Sequence, residues 1–413
     1  MQLLSSIWRK LTQTRALEYS SGSYETQFFE TVYRVMFLAG VSSHDRGLRL
    51  AYSYLVKLTL VVFVGSELWY LFSQTADLDH VIDNINVTLI HLIAMYRYRD
   101  MMRHKAIYKR LAGAMESPHF DVSTPARRAL LQAWARRSER YLQLLLALGT
   151  CTLAAWYVYP LVDDLDYNLT VAVRLPFDYR TPQLYAATYL ATLVAFNYTS
   201  YFVMVNDLIM QVHLMHLLCQ YTVLADCFRN ILEDCSDEEE NKNENYHSLA
   251  WGDKYVKRLG DLVNQHKFIM ANTLELKRIW STPMLMQFLA SSMLICLAGY
   301  QVTATIKLSI TKFLMSLLYL AYNMFELFIF CRWCDEIKIQ SENIAEAVYC
   351  SGWERGAAAR GGVRARLMLV LTRARRPLVL SAGGLYDLSL ASYSTLVKTS
   401  YSALTVLLRV SDD

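Results

Sequence analysis

The stretch MLMQFLASSMLICLAGYQV, Met284 to Val302, contains no charged residue. As a helix at ~1.5 Å per residue it reaches about 28 Å, close to the thickness of a bilayer's hydrocarbon core. Working outward from it, six more stretches have comparable length and character. The seven predicted spans are 50–72, 80–98, 141–162, 184–210, 283–305, 312–333 and 386–410. The first, fifth and sixth are the cleanest. The second carries Asp83, Asn84, Asn86 and His91, and polar groups in a membrane helix normally face the bundle or a watery cavity. The fourth is overlong: its helical pattern runs on to about residue 230, so it projects beyond the bilayer on one side.

Composition agrees with a membrane chain. Of 413 residues 54% are hydrophobic and 13% aromatic, with only 15 Gly and 7 Pro to punctuate loops. A soluble chain of this size would carry more turns and less continuous apolar sequence. The start, MQLLSSIWRKLTQTR, has no apolar core long enough for a secretory signal, so the first span is expected to lead insertion. The formal charge of +4 matters less than its placement. The loop between spans two and three holds Arg97, Arg99, Arg103, Lys105, Lys109, Arg110, Arg127, Arg128, Arg136, Arg137 and Arg140. The loop between spans six and seven holds Arg355, Arg360, Arg364, Arg366, Arg373, Arg375 and Arg376. Between spans three and four, DDLDYNLTVAVRLPFDYRTP leans acidic. Basic loops stay cytoplasmic, which puts the N-terminus inside and, after seven crossings, the C-terminus outside. Asn168-Leu169-Thr170 then forms a glycosylation acceptor in an outer loop. The run CSDEEENKNENYHS at 235–248 reads as a polar cytoplasmic linker.

The fold class is therefore all-α membrane protein with helical extensions on the cytoplasmic side. Its organisation reads as a cytoplasmic segment 1–49, spans and pocket bundle over 50–333, a cytoplasmic helical anchor over 334–384, and a final helix with a short outer tail over 385–413.

Enzymatic chemistry finds no support. No phosphate-binding glycine loop, nucleophile triad or zinc-protease signature is present. Cys331 and Cys334 have CxxC spacing without the second pair or strand–helix context of a redox or metal motif. His213, His216 and Cys219 share a helix face, but no fourth ligand accompanies them, and packing explains them better. No catalytic residue, metal, cofactor or nucleic-acid partner is expected. Glu67 and Glu326 lie at membrane depth, where an ionisable group is either functional or paired to hold helices together.

The outer halves of spans three and four are crowded with aromatic residues. Trp156, Tyr189 and Phe196 lie deep enough to line an apolar pocket, with Thr152 and Thr192 supplying hydroxyls, and such a lining suits a small organic ligand. On the last helix, Ser394 or Thr395, Lys398, Ser402, Thr405 and Arg409 form one polar stripe, opposite Leu396, Ala403 and Leu407. A polar stripe on a membrane helix means contact with protein or water, either around a central pore or within its own bundle.

LSLASYSTLVKTSYSALTVLLR, CDEIKIQSENIAEAVYCSGW and RPLVLSAGGLYDLSL resemble the terminal segments of insect odorant receptors, and LPFDYRTP before span four fits the same family. The specific motifs cover about 330–410; elsewhere the likeness is one of architecture. Gustatory receptors end differently where Ser400-Tyr401 and Leu408-Arg409 stand here. ERGAAARGGVRARLMLV departs from the pattern by its Gly, Ala and Arg content.

The resemblance implies an odorant-gated, non-selective cation channel in the plasma membrane of olfactory neurons' sensory dendrites. Its tuning subunits join a shared co-receptor in a heterotetramer. A small volatile ligand would bind in the outer half of the bundle. It places the pore-narrowing positions on Leu404 and Leu408, with Tyr401 beside them. The alternatives are a gustatory receptor channel, which would share topology, and a G-protein-coupled chemoreceptor. The latter would need the opposite orientation, an outer disulfide and an Asn-Pro pair in the last span; no Asn-Pro occurs anywhere in the chain.

Overall fold

The computed structural model describes residues 12, 14–41, 46–73, 78–162, 169–236, 249–306, 309–354 and 362–412. The glycosylation sequence at Asn168 and most of the acidic run 235–248 lie outside them. Twelve α-helices follow in order among the described residues: α1 Arg15–Glu18, α2 Ser23–Leu38, α3 Leu48–Ser73, α4 Leu78–Arg103, α5 Lys105–Ala112, α6 Pro125–Val162, α7 Pro182–Arg229, α8 Ile231–Cys235, α9 Leu249–Thr305, α10 Ile310–Tyr349, α11 Val363–Ala374 and α12 Leu390–Asp412. A two-stranded antiparallel hairpin, β1 Ser381–Ala382 and β2 Tyr386–Asp387, precedes α12.

Each of the seven predicted spans falls on one long helix: α3, α4, α6, α7, α9, α10 and α12. Five of them, all but α4 and α12, are long and apolar enough to cross a membrane by length and composition. The two exceptions have different causes. Helix α4 spends its polar residues inside the bundle, where Asn84 donates to the Ala172 carbonyl, Asn86 to Gln301 and Arg97 to Asp207. In α12 Lys398, Ser402 and Arg409 stand exposed on the free face of the helix.

Four helices are much longer than a bilayer requires. α7 has 48 residues and α9 has 57, which is about 72 and about 86 Å. The side-chain pairings show alternate directions. α6 meets α7 through Tyr157 with Tyr189 at one end and Arg127 with Asp226 at the other. α4 meets α9 through Asn86 with Gln301 and Tyr108, just beyond α4, with Trp280. The start of α6, the end of α7, the start of α9 and the end of α10 thus project together from one side of the membrane. Over α10 the helix runs through residue 334, so span and anchor share one continuous rod.

The projecting part has a core of its own. Tyr221, Leu224, Phe228, Tyr255, Leu262 and Leu276 are buried there. His213, His216 and Cys219 join it. His213 meets the Phe29 and Tyr108 rings edge-on at 4.9 and 5.1 Å, and His216 meets Phe28 at 5.4 Å. Cys331 and Cys334 are likewise buried. The Arg-rich α11 packs without difficulty, because Val363, Leu367, Val370 and Ala374 recur on its buried face while Arg364 and Arg366 point out.

The hairpin joins this part to α12. Gly383 and Gly384 take φ of +61° and +71°, and Gly383 N–H donates to the Ser281 carbonyl on α9 at 2.8 Å. A Cβ at Gly383 would lie 2.6 Å from Leu285 Cδ2. Gly383→Ala therefore combines left-handed strain with a clash, and is expected to cost about 1–3 kcal/mol. Surface labelling of cells expressing the variant should show a clear drop; an unchanged signal would mean that the turn is not needed. Beyond it Asp335 on α10 accepts from Leu390 N–H at 2.8 Å, and Ser389 accepts from Ser392 N–H at 3.1 Å. These contacts cap the first turn of α12, which otherwise leaves its amides unpaired.

Candidate functional site

In the bundle interior, on the side opposite the projecting helices, lies a half-open cavity with about 460 Å³ of space between its walls, part of it continuous with the surroundings. It is lined by Val87, Ile90 and His91 of α4, Gly149, Thr152, Leu153 and Trp156 of α6, Phe196, Ser200, Val203 and Met204 of α7, and Tyr319 and Tyr322 of α10. Its rings form one cluster. Trp156 lies 5.4 Å from Phe196 and 6.2 Å from Tyr319, and Phe196 lies 6.3 Å from His91 and 6.4 Å from Phe63. Such offset and edge contacts give a rigid apolar wall. A Cβ at Gly149 would come within 2.6 Å of Met204 Cε, the flexible end of that side chain.

Of the residues expected to bind ligand, Thr152, Trp156 and Phe196 line the cavity. Thr192 and Tyr189 stand one and two turns from Phe196 along α7 and do not line it. Their polar atoms are engaged elsewhere: Thr192 donates within α7 to the Thr188 and Tyr189 carbonyls, and Tyr189 donates to the Tyr157 carbonyl at 3.0 Å. Thr152 also donates back into its own helix, to the Leu148 carbonyl at 2.9 Å. In an apolar bundle a hydroxyl near an i−4 carbonyl takes that bond by default. His91, Ser200, Tyr319, Tyr322 and Met204 were not singled out for the lining. The polar character of span two was the signal for His91, since polar groups there had to face inward.

Beneath the cavity a polar network crosses the bundle. Tyr322 lines the cavity and donates to Asp207 Oδ2 at 3.1 Å. Asp207 Oδ1 accepts from Arg97 at 2.7 Å, and Arg97 also donates to Gln287 Oε1 at 3.1 Å and lies 3.8 Å from Glu326. Gln287 in turn donates to Ser291 on α9. The next residue, Ser292, bonds with Ser400 of α12 through its hydroxyl at 3.2 Å and its carbonyl at 3.0 Å. Glu326 is thus a buried partner of a guanidinium. Glu67 pairs with His91 at 2.9 Å.

Outside the membrane-spanning part Arg127, 1% exposed, bridges three carboxylates. It donates to Asp121 at 2.9 Å, Asp226 at 3.1 Å and Asp234 at 2.7 Å, and Arg258 joins Asp121 and Asp234 as well. Burial pushes the Asp121 carboxyl up, but the Ser123 amide and hydroxyl and the Arg258 guanidinium outweigh it and hold the group at about 2.

On α12, Ser400 is buried against α9, Leu404 and Leu408 are half-buried, and Tyr401 is exposed. Leu404 packs on Gly299, where a Cβ would lie 2.9 Å from its Cδ2. Ser394, Thr395, Lys398, Ser402 and Arg409 share the free face. Ala403, placed opposite them by periodicity, is exposed too.

The family model for the 7tm odorant receptors matches residues 77–401. The chain belongs to the insect odorant receptor family. Among the receptor's relatives, Odorant receptor 10 of Aedes albopictus is 22% identical over 347 residues, covering 81% of this chain and 85% of that one. Odorant receptor 67a of Drosophila melanogaster is 30% identical over 146 residues, 35% of each chain. The receptor's fold matches the olfactory receptor OR5 of Machilis hrabei, solved with eugenol, at a TM-score of 0.77 and 18% identity, covering 94% of this chain and 100% of that one. It is an all-α, multi-pass membrane protein and not an enzyme.

Proposed function

We propose that the receptor binds a small volatile odorant in the 460 Å³ cavity and thereby opens a cation-conducting pore built with co-receptor subunits in a heterotetramer. The observation that carries the ligand half is the cluster of Trp156, Phe196 and Tyr319 walling an apolar cavity in the bundle. A larger space of about 670 Å³ lies at the projecting end, between α2, α4, α5 and α7. It abuts the N-terminal helices and Lys105 and Lys109, and lacks the aromatic wall of the cavity among α4, α6, α7 and α10. The cytoplasmic side is assigned to the projecting helices because Arg127, Arg128, Arg136, Arg137 and Arg140 sit at the start of α6. That orientation puts the cavity in the outer half of the membrane and the C-terminus outside. Asn168 is then an outer-loop glycosylation site.

The test is a dose–response curve in cells expressing the receptor with the co-receptor. Phe196→Ala and Trp156→Ala each remove a wall ring, and each is expected to raise the effective odorant concentration about ten-fold. Curves unchanged for every active ligand, at normal surface levels, would move the ligand elsewhere.

For the pore, α12 is the wall helix, with Leu404 and Leu408 as the narrow positions and Tyr401 on the free face beside them. Leucine rings close a pore by dewetting, and opening needs them only to separate or rotate. Helix α12 leans on α9 at Gly299, so opening by retreat toward α9 needs that notch. Gly299→Leu fills it and is expected to cut the maximal odorant-evoked current several-fold without loss of surface protein. A normal maximal current would exclude the notch as the seat of the open position.

A further inference from the structure

Hydrogen bonding inside the cavity is almost fully spent. Tyr319 donates to the Asn86 carbonyl at 3.0 Å, Tyr322 to Asp207 and Thr152 to Leu148. Among the described lining residues three side-chain polar groups keep an atom without a hydrogen-bond partner, Nε2 of His91, Oγ of Ser200 and the indole Nε1 of Trp156, and of these only the His91 ring is held by a second buried polar group. The other ring nitrogen of His91 is fixed: Nδ1 lies 2.9 Å from Glu67 Oε2, and the two side chains are 2% and 0% exposed. Glu67 Oε1 has no partner at all.

That geometry decides what Nε2 offers. A net charge at this depth in the bundle costs several kcal/mol, and among the described residues no further charged group pairs with Glu67 or His91. The pair is therefore net neutral. Two arrangements satisfy neutrality without burying an unpaired O–H on Glu67 Oε1. Either a carboxylate accepts from Nδ1–H of an imidazolium, or a carboxylic acid donates to the bare Nδ1 of a neutral ring. Both leave a hydrogen on Nε2. A bare Nε2 would need either an isolated carboxylate charge or a carboxylic acid protonated on Oε1, where the O–H would be buried with no acceptor.

We infer that His91 Nε2–H is a fixed donor in the odorant cavity, and that the receptor selects odorants carrying a hydrogen-bond acceptor, such as a ketone, aldehyde or ester, on a compact apolar body. The inference rests on the cavity being the odorant site. Glu67 acts as a positioning residue, setting the ring's orientation and its donor character. A hydrocarbon of the same shape would fill the space but leave a buried N–H unpaired, and sites built to hydrogen-bond discriminate strongly against analogues that lack the partner. Ser200 adds a hydroxyl that can serve the same acceptor or donate elsewhere on the ligand.

The experiment compares ketones with alkenes of the same outline, C=O against C=CH₂: acetophenone with α-methylstyrene, cyclohexanone with methylenecyclohexane, and a pair built around the strongest agonist. Concentration–response curves are recorded with co-receptor for the receptor, for Phe196→Ala and for a double variant, Glu67→Leu with His91→Phe. The double variant removes both partners together, so no charge is stranded, and surface labelling accompanies every curve. The receptor itself is expected to respond to each ketone at a concentration about ten-fold or more below its alkene. In the double variant that ratio is expected to collapse to about one. A ratio near one in the unmodified receptor, or a ratio that survives in the double variant, would overturn the donor assignment while leaving the cavity standing. If Phe196→Ala also left every curve unchanged, the cavity itself would be misassigned and the donor assignment would fall with it. The comparison on the unmodified receptor does not depend on any variant folding.

Discussion

Arg97→Met is expected to abolish delivery of the receptor to the cell surface. The guanidinium is 7% exposed and faces Asp207, Glu326 and Gln287 on three other helices. Replacing it leaves two carboxyl groups in the bundle with no cation, and breaking one side of a buried pair typically costs about 3–5 kcal/mol. That is a large share of the stability of any folded chain. Arg97→Lys keeps the charge but loses the fork that reaches Asp207 and Gln287 together, so it should fall between the two. Surface biotinylation and thermal unfolding in detergent check the order. A Met variant that reaches the surface normally and melts with the parent would show that the network contributes nothing to folding.

Arg127→Met carries the second large effect, on the projecting helices. Its guanidinium ties Asp121, Asp226 and Asp234, and so holds the residues before α6, the end of α7 and α8 together. Arg258 remains to neutralise Asp121 and Asp234, which moderates the loss to about 3 kcal/mol. The same cluster gives a pH dependence with a definite sign. Asp121 titrates at about 2 in the folded chain against an ordinary 3.8. Its contribution is therefore fully present above about pH 4 and is lost as pH falls toward 2. Melting temperature in detergent should decline over that window in the parent and less steeply in Asp121→Asn. Equal slopes would remove Asp121 as a source of the dependence.

The sequence shows the spans because apolar runs and helix length are local properties. It also shows the overlong α7, since the helical pattern continues past the apolar run. What pairs with what is not local. Glu67 and His91 stand 24 positions apart, and Asn86 and Gln301 stand 215 apart. Sequence could say only that such groups must face inward. The cavity was half legible. The aromatic rings of α6 and α7 were visible as a cluster, and Trp156 and Phe196 do line it. Of the two hydroxyls Thr152 lines the cavity while Thr192 bonds to its own helix, a difference no spacing rule separates. Tyr319 and Tyr322 join the cavity from α10, far along the chain from the rings of α6 and α7, so no local pattern marks them. On α12 the polar stripe was legible in part: Ser394, Thr395, Lys398, Ser402 and Arg409 are exposed, whereas Thr405 is half-buried and Ala403, placed opposite, is exposed. Its meaning depends on Ser400 and Leu404 leaning on α9, which leaves the stripe free.

The most direct measurement is whole-cell current to a panel of volatiles, with and without the co-receptor, while G-protein signalling is blocked. A fast cation current that needs both subunits and survives the block is expected from an odorant-gated pore containing α12. A current abolished by the block would contradict it and make the receptor a metabotropic one.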